Sequence, residues 1–166
     1  MFWRAFQIVS FAIVITVAAT LFCCPSTGRE IGSFEGTWEG KLKVVAIDLE
    51  KDSDSYKRTV ARYEQSPFKI IIHGQGANVY FGDTEVKPNL FQAHIYRTNA
   101  VVFASSAGAD ADGRWVETWD FLLTQNNPET LIACLSRIVN NLDAPETQDS
   151  SKFFIVIAGE LRRTSR

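Results

Sequence analysis

The chain has 166 residues, of which 46% are hydrophobic and 22% charged, and this ordinary globular composition argues against intrinsic disorder. Its formal net charge is −2 and it contains no basic stripe, so the sequence predicts no nucleic-acid partner. A chain of this length accommodates one N-terminal segment, residues 1–28, and one folded domain, residues 29–166.

The N-terminal segment predicts export. Arg4 precedes a run of mainly apolar, uncharged residues, which is the order of a secretory signal, and the run is also long enough to cross a bilayer as a helix. Three fates stay open: cleavage after Ser26 or Gly28, retention as a membrane anchor, or acylation as a lipoprotein at Cys23 or Cys24. Each places the domain outside the cytoplasm, periplasmic or extracellular, with membrane contact only through this segment.

The first element of the domain predicts a half-buried strand. From Phe34 to Val44, apolar and small residues alternate with charged ones in the stretch FEGTWEGKLKV. A period of two places Gly36, Trp38 and Gly40 on one face and the charged side chains on the other.

The remainder of the domain predicts further strands in sequence. The acidic segment 48–55 predicts a solvated loop, and alternating segments then follow at 56–64, 67–74, 77–82, 90–98, 100–106, 114–124, 129–139 and 152–163. Turns are indicated at Thr98–Asn99, at Asp112–Gly113 and in the sequence QNNP. Eight to ten sequential antiparallel strands favour an all-β, up-and-down barrel, because closure removes the sheet edges; a two-sheet sandwich is the alternative.

Gly-x-Trp on the first strand, together with an arginine on the last, resembles the lipocalin and calycin group, and FEGTWEG also resembles the first strand of fatty-acid-binding proteins. In that group the tryptophan closes the barrel floor and the arginine stacks across it. The resemblance implies these structural roles for Trp38 and for Arg162 or Arg163. Alternation on the last strand favours Arg163, because it continues the apolar face that ends at Leu161.

One later strand places a carboxylate among aromatic residues. Trp115, Glu117 and Trp119 share a face, and burial of an unpaired carboxylate costs several kcal/mol. Two interpretations stay open. Glu117 lines a ligand cavity with its aromatic neighbours, or it forms a structural ion pair with Arg137 on the next strand.

Other polar residues give weaker indications. Tyr96 shares a face with His94, and this face either lines the cavity or is the polar outer face of an ordinary strand. The only two histidines, His73 and His94, stand apart without clustered cysteines or carboxylates, so the sequence predicts no metal site and no cofactor. The lone cysteine of the domain, Cys134, lies in the apolar run LIACL and is expected to be buried.

Taken together, these features predict an exported, lipocalin-like barrel that binds a hydrophobic or amphipathic small molecule, with a cavity lined by Trp115, Glu117, Trp119, Tyr96 and Arg137. The alternative is a cell-envelope protein-interaction module, such as an inhibitor, immunity or assembly factor. It would have a filled barrel and use loops 48–55, 105–113 and 140–151. No catalytic triad, nucleophile elbow or phosphate loop is found, so a non-enzymatic role is favoured and no catalytic residue is assigned.

Overall fold

A computed structural model of the chain describes residues 32–87, 90–111, 113–143 and 152–165. The predicted leader, residues 1–28, lies outside the described residues. The elements in chain order are β1 (Gly36–Gly40), β2 (Lys43–Ile47), α1 (Asp54–Gln65), β3 (Phe68–His73), β4 (Gly76–Phe81), β5 (Thr84–Glu85), β6 (Phe91–Tyr96), β7 (Asn99–Asp110), β8 (Gly113–Asn127), β9 (Thr130–Asn141) and β10 (Lys152–Ser165).

The strands form the closed antiparallel barrel that the sequence predicts. Successive strands pair in the order β1-β3-β4-β6-β7-β8-β9-β10, and β10 pairs back with β1 to complete a ring of eight. Two short strands lie off this ring. β2 pairs with β10 beside the stretch of β10 that pairs with β1, and β5 pairs with the end of β4. No edge is left along the ring itself, which is how an up-and-down barrel protects its strands.

Two of the predicted hairpin turns are present. Arg97 and Thr98 connect β6 to β7, one residue earlier than the predicted Thr98–Asn99, and Arg97 adopts a positive φ of 54°, which is uncommon for a residue other than glycine. The predicted QNNP hairpin is present, with Asn127 opposite Thr130. The prediction of a loop over residues 105–113 is wrong for most of that range. β7 continues to Asp110, and Asp110 pairs with Gly113 of β8.

The helix α1 corrects the strand and loop predicted for this part of the chain. Ser53 caps its N-terminus, where the side-chain oxygen accepts a hydrogen bond from the backbone N–H of Tyr56 at 3.0 Å. Tyr56, Val60 and Tyr63 follow with helical spacing of four and three residues. The helix ends before Ser66 and Pro67, since the residue before a proline disfavours helical backbone. Polar residues between these apolar positions resemble strand alternation, which explains the error.

The core lies inside the barrel and is built from one face of every ring strand. The side chains without accessible surface include Ile70 on β3, Val79 on β4, Val102 on β7, Phe121 and Leu123 on β8, Leu131 and Leu135 on β9, and Ile155, Ile157 and Leu161 on β10. Buried and more exposed residues alternate along β3, along β4 and from Thr130 to Leu135 of β9, so the period-two pattern of the sequence produces the barrel's apolar interior.

Candidate functional site

The interior of the barrel is filled. A void large enough for a ligand would leave the side chains around it with accessible surface. The core side chains on opposite walls of the barrel have no accessible surface. Aromatic rings occupy the middle of the barrel, where Phe121 lies 5.7 Å from Phe68 and 5.6 Å from Phe91 between ring centroids.

At the floor of the barrel, Trp38 and Arg163 lie against each other. The Arg163 guanidinium sits 4.1 Å from the centroid of the fully buried Trp38 ring. The indole N–H of Trp38 donates to the carbonyl of Phe34 at 2.8 Å. Arg163 donates to the carbonyls of Pro128 and Glu35 at 3.1 and 2.6 Å, and so ties the two ends of the domain together.

Gly40 shares a face with Trp38, but it is needed for the close approach of two backbones rather than to make room for the indole ring. A side chain at Gly40 would collide with the carbonyl of Glu160, because β1 and β10 approach closely where β1 gives way to β2. Arg162, the other arginine that the resemblance allowed, points outward and pairs with the Glu160 carboxylate at 3.4 Å. Arg163 is therefore the arginine that lies over the floor.

At the other end of the barrel, four side chains form what we call the mouth cluster: Tyr63, Glu117, Trp119 and Arg137. Arg137 Nε donates to Glu117 Oε1 at 2.6 Å, and Arg137 Nη1 donates to the Tyr63 hydroxyl oxygen at 2.7 Å. The flat face of the same guanidinium lies 4.5 Å from the Trp119 ring centroid. Arg137 and Trp119 face each other directly in the β8–β9 register, which explains this stacking.

The electrostatics of the mouth cluster keep Arg137 charged. Burial alone would lower the pKa of Arg137, but the nearby Tyr63 and Glu117 outweigh it and raise that pKa above its usual value. Burial raises the pKa of Tyr63, which stays a neutral phenol at physiological pH. Each side chain of the Arg137–Glu117 pair retains only 15% exposure, so desolvation offsets much of the attraction between them. The cluster thus fixes a cation in place more than it stabilises the fold.

Trp119, which lies beneath the Arg137 guanidinium, carries a buried hydrogen-bond donor. The Trp119 side chain is 3% exposed, and its indole N–H finds no acceptor among the described residues. A buried donor of this kind costs about 1–3 kcal/mol, which an added acceptor would recover.

An open cleft of about 440 Å³ borders the mouth cluster. Its apolar wall is formed by Phe81 and Val86, and its rim carries the exposed cations Arg62 and Lys87. Arg137 and Glu117 form part of its lining, together with Ser66, Thr84 and Glu85. Cations outnumber anions in the lining by three to two, and one of the anions, Glu117, already pairs with Arg137.

Three of the five predicted lining residues, Glu117, Trp119 and Arg137, come together in the mouth cluster, and two lie elsewhere. Trp115 is half-buried and lies over Gly108 of β7, where any larger side chain would collide with its ring. Tyr96 is 70% exposed, so its assignment to a cavity wall is wrong. On β6 the buried face is formed by Phe91 and Ala93, which leaves Tyr96 to solvent.

Sequence reasoning missed Tyr63, Arg62 and Lys87. The first two lie on α1 and enter the site only because this segment is a helix; the Ser53 cap and the helical spacing were the available signals. The expected burial of Cys134 is also wrong. Its neighbours Ala133 and Leu135 face inward, so the thiol faces outward.

Other kinds of site find no support among the described residues. In this part of the chain no three His, Cys, Asp or Glu side chains lie close enough together to hold a metal ion. No described helix has both the length and the apolar character needed to span a bilayer. Comparisons with protein-family models, with curated proteins and with solved structures find no match for this chain.

Proposed function

We propose that this protein is an exported barrel that binds an amphipathic small molecule with an anionic head in the cleft at the barrel mouth. The observation that carries the proposal is the position of Arg137. Its guanidinium is held by Glu117 and Tyr63, rests on the Trp119 ring, and forms part of the wall of an open cleft.

The anionic head follows from the charges around the cleft. Arg137 uses Nε and Nη1 for its bonds to Glu117 and Tyr63, and no described side chain bonds to its Nη2. Arg62 and Lys87 are exposed on the rim and add two cations close by. Nη2 can therefore donate to a carboxylate or phosphate oxygen, and a charge-assisted hydrogen bond of this kind is about twice as strong as a neutral one.

The apolar part of the ligand follows from the cleft wall. Phe81 and Val86 offer apolar surface beside the cations, and Phe81 packs edge-on against Tyr63 with ring centroids 4.9 Å apart. The cleft volume of about 440 Å³ lies within the range of small-molecule sites. Because the interior is filled, the ligand is expected to lie across the mouth rather than to enter the barrel.

Kinship with the lipocalin and calycin group is part of the same proposal. It is supported by the closed antiparallel barrel and by the contact between Trp38 and Arg163 at the floor. Export to the cell envelope or beyond is likewise proposed, and it rests on the sequence of residues 1–28 alone.

A titration of intrinsic tryptophan fluorescence tests the ligand class. The probes share a twelve-carbon chain and differ in the head: laurate and dodecyl phosphate are anionic, dodecanol is neutral and dodecyltrimethylammonium is cationic. Each is used below its micellar concentration. We expect saturable binding of the two anionic probes, weaker binding of the alcohol and the weakest binding of the cation. Equal affinity for all four, or no saturable change with any, would contradict the proposal.

Rim variants provide a matched comparison. Replacement of both Arg62 and Lys87 by alanine removes two exposed cations and keeps all four side chains of the mouth cluster. It is expected to weaken dodecyl phosphate binding by roughly 5- to 30-fold, from about 0.5–1 kcal/mol for each ion pair. The control replaces Lys57 and Lys152, two exposed lysines outside the cleft lining, and should leave the affinity unchanged.

The export route is tested separately, by the intact mass of the natively produced protein. Loss of residues 1–26 or 1–28 indicates cleavage, added acyl mass indicates a lipoprotein, and the full mass indicates a retained anchor. Recovery of the unmodified full-length chain from the cytosolic fraction would contradict export.

A further inference from the structure

The Tyr63 side chain fills a space at the mouth of the barrel, which we call the Tyr63 socket. Its ring packs edge-on against Phe81 with ring centroids 4.9 Å apart, and Phe81 lies 5.2 Å from Phe68 between ring centroids. Its hydroxyl oxygen accepts the hydrogen bond from Arg137 Nη1 at 2.7 Å. The socket therefore already holds an apolar group that carries a polar oxygen, and it offers that oxygen a cation.

The Tyr63 socket adjoins the cleft at the mouth of the barrel. Phe81 and Arg137 contact Tyr63 and also line the cleft. Arg62, which precedes Tyr63 on α1, lies on the cleft rim. A ligand that enters the cleft thus meets the same two side chains that Tyr63 occupies.

The helix α1 is attached to the rest of the domain mainly through Tyr63. Of its 12 residues, Tyr63 alone is buried. The hydrogen bond from the Val44 N–H to the Glu64 carboxylate lies at the surface, and Tyr56 and Val60 line an open groove beside β2. Segments with few buried apolar contacts open at a lower free energy than the core. We therefore expect α1 to leave the mouth more readily than the barrel unfolds.

We propose that the anionic head of the ligand binds in the Tyr63 socket, and that Tyr63 is an internal competitor that leaves together with α1. The argument is the number of donors on Arg137. While Tyr63 occupies Nη1, only Nη2 is left for a ligand. Once Tyr63 leaves, Nη1 and Nη2 form a fork that a carboxylate or phosphate accepts with two parallel hydrogen bonds. The exchange also replaces a neutral phenol oxygen by an anion, which strengthens the bond to a guanidinium.

The apolar part of the ligand follows from the same exchange. Its first carbons take the place of the Tyr63 ring beside Phe81, and the rest of its chain lies along the cleft. The layer below, with Phe68 stacked on Phe121, stays filled. This inference rests on the proposed function and adds how the site is kept closed in the absence of ligand.

Titration with dodecyl phosphate, followed by tryptophan fluorescence, tests the competition. Tyr63→Phe keeps the ring but removes the oxygen that occupies Arg137, so it should bind the probe more tightly than wild type by roughly 5- to 30-fold. The matched control Tyr56→Phe makes the same change on α1 at a residue that faces the groove beside β2, and it should leave the affinity unchanged. Weaker or unchanged binding by Tyr63→Phe overturns the proposal, because Tyr63 would then only hold Arg137 in place.

Native-state hydrogen exchange measures whether α1 leaves the mouth. Saturation with dodecyl phosphate should accelerate exchange of the α1 amides by at least about tenfold, because a free helix of this length frays in water. The amides of β3 and β4 should not exchange faster. Slower exchange of α1 with the probe bound overturns this inference and leaves the proposed function standing. The absence of saturable binding by both wild type and Tyr63→Phe overturns both.

Discussion

Replacement of Trp38 by alanine distinguishes a packing role at the barrel floor from a binding role. The Trp38 side chain has no accessible surface, donates to the Phe34 carbonyl and lies under the Arg163 guanidinium. Truncation of a buried aromatic costs about 3–5 kcal/mol of unfolding free energy. The variant also leaves the Phe34 carbonyl without its donor and Arg163 without its aromatic partner. We therefore expect the upper part of that range, about 4–5 kcal/mol.

Urea unfolding, followed by far-ultraviolet circular dichroism and by the fluorescence of the remaining tryptophans, measures this loss. Because domains are stable by only about 5–15 kcal/mol, the alanine variant should be close to unfolded at 37 °C. Trp38→Phe, which keeps a ring but removes the N–H donor, serves as the matched control and should lose less. If the alanine variant unfolds within 1 kcal/mol of wild type but no longer binds dodecyl phosphate, the floor is a binding site and the packing account is refuted.

Two further predictions concern titration. Burial raises the pKa of Tyr63 above 10.0, so its contribution to stability is present below pH 10 and is lost as the pH rises through the raised value. The unfolding free energy should therefore fall above pH 10 more steeply in wild type than in Tyr63→Phe; parallel curves would contradict this. The side-chain and backbone hydrogen bonds from Arg114 lower the pKa of Asp143 to about 2. Arg114→Ala removes the guanidinium but keeps the backbone N–H that donates to Asp143 Oδ2 at 2.8 Å, so the pKa should rise toward 3.8 without reaching it in a carboxyl NMR titration. An unchanged midpoint would show that the Arg114 side chain is not the cause.

Much of the fold could be predicted because one periodicity dominates the domain. Strand residues alternate between the core and solvent, and Trp38 and Phe121 are apolar positions in such patterns that the structure buries completely. The hairpin at QNNP was predicted correctly because Asn and Pro between two apolar segments strongly favour a turn. The helix α1 was not predicted, since its few apolar residues are interrupted by charges in a way that also fits a strand.

The candidate site was harder to predict than the fold for a geometric reason. Glu117 and Arg137 could be matched from the strand pattern, because both occupy inward positions on consecutive strands. Tyr63, which completes the cluster, is 74 residues away from Arg137 and reaches it only through the path of α1. Whether a polar face points inward also cannot be decided from alternation alone, and Tyr96 was assigned to the wrong side for this reason.

Two-dimensional NMR of the tryptophan indole N–H groups, recorded during a titration with dodecyl phosphate, tests the central claim most directly. Trp119 lies in the mouth cluster, whereas Trp38 lies at the barrel floor with its N–H bonded to Phe34. Binding at the mouth predicts a saturable shift of the Trp119 indole signal and an unchanged Trp38 signal. A shift of Trp38 with Trp119 unaffected, or no shift of either, would contradict a ligand site at the mouth of the barrel.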